Sequence, residues 1–269
     1  ISKKSKMILF YIYLLVLTLL SLIFKKGGIL LNYSGDIHQS FSNKKNIPLV
    51  GGLFILIPIV FFLNDLLMNC FIISIYLVGF FSDRKILISP KKRFLIQCFL
   101  IISFVAIFDI RIISSRIELF DTILNYKIFT IFFSAFCLLI LINGSNFIDG
   151  LNGLLISCSI FILYTLVNLN LLDNSIISDQ SINLLTLILL LVLLLNLFNV
   201  LMLGDSGAYL LGFFVGFIII RSHMINPDIS PYFFISLIWY PCFENLFSIL
   251  RKLNRQFSPL KPDSKHLHQ

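Results

Sequence analysis

The sequence predicts an all-α protein, a polytopic transmembrane helical bundle of about nine spans, built as one integral membrane domain over residues 1–269. Three observations predict it. Mean hydropathy is +0.97, and 58% of residues are apolar against 13% charged. A soluble domain of this length cannot hide that much apolar surface. The apolar residues come in long runs that do not alternate, which suits helices whose backbone groups are satisfied internally and not a membrane β-barrel. Lysine and arginine are also unevenly divided between the two sets of connections, as in multi-span membrane proteins.

The expected spans are roughly 7–24, 48–63, 66–81, 94–108, 128–142, 153–170, 182–198, 207–220 and 231–250. Asn64-Asp65 alone separates the second from the third, but 48–81 is too long for one crossing, so a tight hairpin is expected there. Nine spans put 25–47, 82–93, 143–152, 199–206 and 251–269 on one face, with 14 of the 21 lysines and arginines. The other face holds 7, so the first face is predicted to be cytoplasmic. The formal charge of +8 is therefore mostly a topology signal, and no nucleic-acid partner is expected. The first span has no cleavage-site pattern after it and is read as a retained helix. The chain, starting at Ile1, is expected to be truncated at both ends. Cys70, Cys98, Cys137, Cys158 and Cys242 stand singly in or beside apolar runs, which points to buried thiols and not to a disulfide framework or zinc site.

The unusual polar residues fall on the basic face. Asp83 ends span three. Asp149 lies in Asn143-Gly-Ser-Asn146-Phe-Ile-Asp149-Gly-Leu-Asn152-Gly153. Asp205 lies in Gly204-Asp205-Ser206-Gly207, and His266 and His268 follow span nine. Each has an ordinary explanation. Asp149 and Asp205 precede helices and suit N-caps; Asp83 could mark the water interface; Gly51-Gly52 could be small-residue packing; a lone His-x-His is more often solvated. Together those explanations weaken. The loops 143–152 and 199–206 hold no lysine or arginine, yet each carries one aspartate in a polar or glycine-containing turn. Carboxylates at a membrane interface are costly without partners. Three from separate loops suggest a shared divalent cation, and Mg²⁺ takes one or two carboxylates with phosphate oxygens and water. Helix N-termini offer N–H groups to phosphate. Lys44, Lys45, Arg251 and Lys265 would offset further anionic charge. No Walker P-loop is present, so an ATPase is not supported.

In order, Pro48-x-x-Gly51-Gly52, Asp83, Asn143-x-x-Asn146-x-x-Asp149-Gly150, Gly204-Asp205-x-Gly207 and Ser258-Pro259-x-x-Pro262-Asp263-x-x-His266-x-His268 run through nearly the whole chain. Any one motif is weak, but the ordered set is specific. It resembles the polyprenyl-phosphate N-acetylhexosamine-1-phosphate transferases of glycosyltransferase family 4, in the WecA-like branch related to MraY. The resemblance implies a Mg²⁺- or Mn²⁺-dependent enzyme of the bacterial plasma (inner) membrane with a cytoplasmic site. Its partners would be a UDP-sugar, undecaprenyl phosphate and membrane lipid, with a homodimer left open. It would transfer a hexosamine-1-phosphate, such as GlcNAc-1-phosphate, to undecaprenyl phosphate and release UMP, starting cell-envelope glycan synthesis such as O-antigen.

Carried over by position, Asp205 is the expected metal ligand, and Asp83 the carboxylate that orients or deprotonates the lipid phosphate. Asp149, Asn143 and Asn146 would shape the nucleotide side, with Asn152, Lys44 and Arg251 as further substrate contacts. His266 and His268 would hold diphosphate or sugar. The chain departs from the family pattern at Ser82 and Asn152, where aspartates are usual, and at Gln269, where a further histidine often stands. Two alternatives remain: an MraY-like phospho-MurNAc-pentapeptide transferase, and a non-catalytic transporter or scaffold. Transporters usually put their polar groups near the bilayer midplane. Here the acids sit at span ends, apart from Glu244 inside span nine.

Overall fold

The computed structural model describes residues 3–31, 47–63, 65–150 and 152–254, with side chains from Tyr11 to Arg251. Among the described residues the secondary structure is helical: α1 (Lys3–Gly27), α2 (Gly51–Phe62), α3 (Leu66–Asp83), α4 (Pro90–Phe108), α5 (Glu118–Leu124), α6 (Lys127–Ile148), α7 (Leu154–Asn168), α8 (Asp179–Leu197), α9 (Gly204–Ile225), α10 (Pro231–Leu237) and α11 (Trp239–Asn254). An isolated bridge joins Leu31 to Pro48. Among the described residues, four helices (α3, α6, α8 and α9) are each long and apolar enough to cross a membrane, or five spans if the bent pair α10–α11 counts as one. The shorter apolar helices are α2 and α7. The protein is a multi-pass membrane protein.

The expected hairpin between α2 and α3 has a local cause. Asp65 accepts from the Met68 N–H at 2.7 Å and so caps α3, while Asn69 donates to the carbonyls of Val60 and Leu63 on the other arm. Three features differ from the sequence reading. The loop expected at 143–152 is mostly helix, because α6 runs on to Ile148. Asn143 and Asn146 are therefore on a helix face, and Asp149 is the C-cap of α6 instead of an N-cap of α7. The ninth span is broken, with α10 and α11 meeting at 78°. Pro241 accounts for that break: it has no N–H to give Leu237, the last residue of α10, and its ring crowds that carbonyl. A short helix, α5, also forms in the 109–127 connection.

Helix α9 is the axis of the bundle, buried almost throughout from Ser206 to Ile220. Phe104 of α4 meets Phe213 edge-on at 4.8 Å and Phe217 at 5.8 Å, filling the space beside it. Glycines let the neighbours approach closely. A Cβ on Gly52 would lie 2.6 Å from the Gly207 nitrogen, and one on Gly212 would lie 2.7 Å from Ser145 Oγ. The Pro48–Gly52 segment is tied to the same region through its backbone. Gly51 N–H donates to the Met202 carbonyl at 3.0 Å, and Met202 N–H donates to the Pro48 carbonyl at 2.9 Å. That segment thus fixes the approach to α9, which agrees with the packing explanation of its glycines. Gly52→Val should destabilise the bundle by about 1–3 kcal/mol through overpacking, read as a lower melting temperature in detergent.

The connections gather at two ends. At one end Lys25 Nζ donates to the Asn199 carbonyl at 2.8 Å, and Asn152 donates to Asn199 at 2.8 Å. At the other, Arg221 pairs with Asp173 at 2.6 Å, and Arg116 donates to the Asp228 carbonyl at 2.7 Å.

Candidate active site

The first turn of α9 is where the acidic residues meet. Gly204 enters it with φ +72°, a left-handed conformation that suits glycine. Asp83, at the end of α3, lies across this turn. One of its carboxylate oxygens accepts the Asp205 N–H at 2.8 Å and the other accepts the Ser206 N–H at 3.0 Å. These N–H groups have no partner inside the helix, so Asp83 serves as a cap supplied from another helix. These two N–H groups, of the kind a helix N-terminus can offer to a phosphate, are therefore already engaged.

Asp205 points its own carboxylate elsewhere. Its Oδ2 accepts from Ser82 Oγ at 2.5 Å and pairs with Arg93 Nη1 at 2.8 Å. Arg93 also donates to the Ser82 hydroxyl, so guanidinium, hydroxyl and carboxylate form one contact group. The Asp205 and Arg93 side chains are 28% and 23% exposed, which places the pair at the edge of the buried interior. Burial, with Asp205 and Asp83 nearby, pushes the Asp149 carboxyl well above the usual carboxylate range.

One turn below Arg93 on α4, Gln97 is 1% exposed. Its Oε1 accepts from Asn143 Nδ2 at 3.4 Å, and Asn143 also donates to the Leu139 carbonyl at 2.8 Å. The Tyr209 hydroxyl lies beside Gln97 and close to Asp205, Arg93 and Asp83. A polar strip of Arg93, Gln97, Asn143 and Tyr209 thus runs inward from the acidic group, on α4, α6 and α9.

Of the residues singled out from sequence, Asp83 and Asp205 are in one hydrogen-bonded group. Asp149 is near enough to interact with both electrostatically, and Asn143 is hydrogen-bonded to Gln97, one turn from Arg93 on α4. Asn146 lies on α6, three residues before Asp149 and so on the same side of the helix. Asn152 pairs with Asn199 and links the two loops beside the acids. Arg251 stacks on Phe247 of α11, 6.0 Å from its ring centroid. Lys44, His266 and His268 lie outside the described residues. Arg93, Gln97 and Tyr209 did not stand out in the sequence. The available signal was a glutamine inside the apolar segment 94–108, with an arginine four residues earlier, because such spacing stacks two polar groups on one helix face.

The donor set bears on the expected cation. Among the described residues, no three His, Cys, Asp or Glu side chains are grouped so as to hold a metal ion. Mg²⁺ does not need such a cage, since one or two carboxylates plus phosphate oxygens and water suffice. Asp205 suits that pattern, being half-buried at the edge of the site. Asp83 suits it less well, because each of its oxygens already accepts a backbone N–H.

Fold and site together define a multi-pass membrane protein with a carboxylate–guanidinium group at one end of its central helix. The chain belongs to glycosyl transferase family 4, whose family profile matches residues 65–223. That range contains Asp83, Arg93, Gln97, Asn143, Asp149 and Asp205. The undecaprenyl-phosphate alpha-N-acetylglucosaminyl 1-phosphate transferase of Thermotoga maritima is 25% identical over 228 residues, covering 84% of this chain and 68% of the relative. Phospho-N-acetylmuramoyl-pentapeptide-transferases from two strains of Prochlorococcus marinus are 26% and 27% identical over 163 residues, covering 54% of this chain. The chain spans 46% of the length of each of those two.

Proposed function

We propose that this protein transfers an N-acetylhexosamine-1-phosphate, with GlcNAc-1-phosphate first in order, from a UDP-sugar to undecaprenyl phosphate at the cytoplasmic face of a bacterial plasma membrane. The observation that carries the reading is the Asp83–Asp205–Arg93 group at the start of α9, inside the segment matched by the family profile. A phosphate oxygen of the acceptor bonds to the sugar-linked phosphorus. The bond from that phosphorus to the bridging diphosphate oxygen breaks, and UMP departs with the electron pair. Bound Mg²⁺ or Mn²⁺ would offset charge on the diphosphate and the leaving group.

The residues of the chain have separate tasks in this reading. Asp205 holds the cation at the edge of the site. Asp83 fixes the first turn of α9 and so sets where the Asp205 carboxylate points. Arg93 supplies a guanidinium suited to phosphate oxygens. Asn143, held by Gln97, and Asn146 face the nucleotide side together with Asp149. The test is UMP release by purified protein in detergent given UDP-GlcNAc and undecaprenyl phosphate. Absence of UMP from the full-length protein would remove the enzyme reading and favour a scaffold.

The Prochlorococcus relatives support a second reading, a phospho-MurNAc-pentapeptide transferase. UDP-GlcNAc and UDP-MurNAc-pentapeptide as competing donors separate the two. The orientation is tested in intact cells, in a background without the native cysteines, since Cys70 is exposed. A cysteine at Lys85 should be shielded from an external thiol probe and one at Arg116 labelled. The reverse pattern would place the site on the outer face.

A further inference from the structure

We infer that Arg93 is a resident counter-cation of Asp205, competing with the divalent metal for that carboxylate, and that Ser82 holds it there. This rests on the reading of Asp205 as the metal ligand. The geometry is specific. Arg93 Nη1 and Ser82 Oγ both contact the same oxygen, Asp205 Oδ2, at 2.8 and 2.5 Å. The arginine is presented from the first turn of α4, which starts at Pro90, and Gln97 anchors the same helix face one turn further in. A guanidinium held half-buried against a carboxylate keeps more of its attraction than a pair in open water.

The residue at 82 decides where that guanidinium goes. Arg93 donates to the Ser82 hydroxyl as well as to Asp205. A hydroxyl steers the guanidinium but carries no charge, so the full ionic contact falls on Asp205. A carboxylate at position 82 would share the arginine and leave Asp205 more negative. With serine there, a divalent cation that ligates Asp205 meets a carboxylate already neutralised at Oδ2 by Arg93, and must displace the guanidinium or bind against its positive charge. The arriving diphosphate eases this step, because its oxygens give the guanidinium another anionic partner. Cation and UDP-sugar should therefore bind with positive coupling, each raising the affinity for the other.

The test uses Mn²⁺ alone on purified protein in detergent, with free Mn²⁺ read by its electron paramagnetic resonance signal. Arg93→Gln should bind Mn²⁺ about two- to fivefold more tightly than wild type, in line with the loss of one competing ion pair. UDP-sugar should then strengthen Mn²⁺ binding less than it does in wild type. A merely structural arginine would lower stability without tightening the metal. Arg93→Gln with wild-type or weaker Mn²⁺ affinity, when Asp205→Asn has lost binding, overturns this inference alone. Asp205→Asn that binds Mn²⁺ like wild type overturns the metal site proposed above, and this inference with it. If Arg93→Gln does not fold, infrared difference spectra serve instead. Adding Mn²⁺ should shift a guanidinium band in wild type that is missing from Arg93→Lys, and the absence of any such shift overturns the inference.

Discussion

Asp205→Asn should cut transfer by at least about a hundredfold, because even residues one shell removed from a metal cost 10–100-fold when changed. The substitution keeps the size of the side chain and its ability to accept a hydrogen bond from Ser82. It deletes the charge, and a neutral amide is a poor ligand for a hard cation, so raising Mg²⁺ should recover little. The side chain is 28% exposed and at the edge of the site, so folding should survive. The ion pair with Arg93 is lost as well, which should cost well under the activity loss, since a partly exposed pair is worth about 1 kcal/mol or less. UMP release and melting temperature on the same preparation separate the two effects. Near-normal turnover would remove the metal assignment of Asp205.

Much of the fold was legible because it rests on local signals. Apolar runs mark the helices, and Asn64-Asp65 marks a hairpin that Asp65 closes by capping α3. The glycines of Gly51-Gly52 mark a close helix approach, and that is where α2 meets α9. The aspartates were legible as a set because charged groups at span ends are rare in so apolar a chain. What sequence could not give was which groups share a contact. Asp205 and Arg93 are 112 positions apart, and nothing in the spacing of either motif pairs them. Asn143 and Asn146 read as turn residues because asparagine and glycine favour turns. Helix won there because Gly144 lets α6 pack directly on the backbone of α11 at Pro241, and Asn245 of α11 donates to the Ile140 carbonyl at 2.9 Å. The break between α10 and α11 had a visible cause in Pro241, but only packing could show that the chain turns there by 78°.

Asp83→Asn should lower both stability and turnover, and the pairing of those losses distinguishes two ways Asp83 could work. In the structure both carboxylate oxygens are engaged by α9, one by the Asp205 N–H at 2.8 Å and the other by the Ser206 N–H at 3.0 Å. Asparagine can satisfy only one of them. Its amide NH₂ would face the remaining backbone donor, so one contact becomes repulsive. Space to swing away is limited, since even a Cβ added at Gly204 would come within 2.7 Å of Asp83 Oδ2. Loss of such a cap costs roughly 1–2 kcal/mol, which should appear as a melting temperature lower by several degrees. The first turn of α9 also carries the Asp205 carboxylate, so its displacement misplaces the group proposed to hold the cation. A shift of about 1 Å at such a position can cost about a hundredfold in rate. The loss should fall mainly on kcat, with KM for the UDP-sugar changed much less, because the nucleotide contacts proposed on α6 are left in place. Asp83→Asn that melts like wild type yet fails to turn over would show that Asp83 acts directly on the lipid phosphate and not by positioning Asp205 through α9.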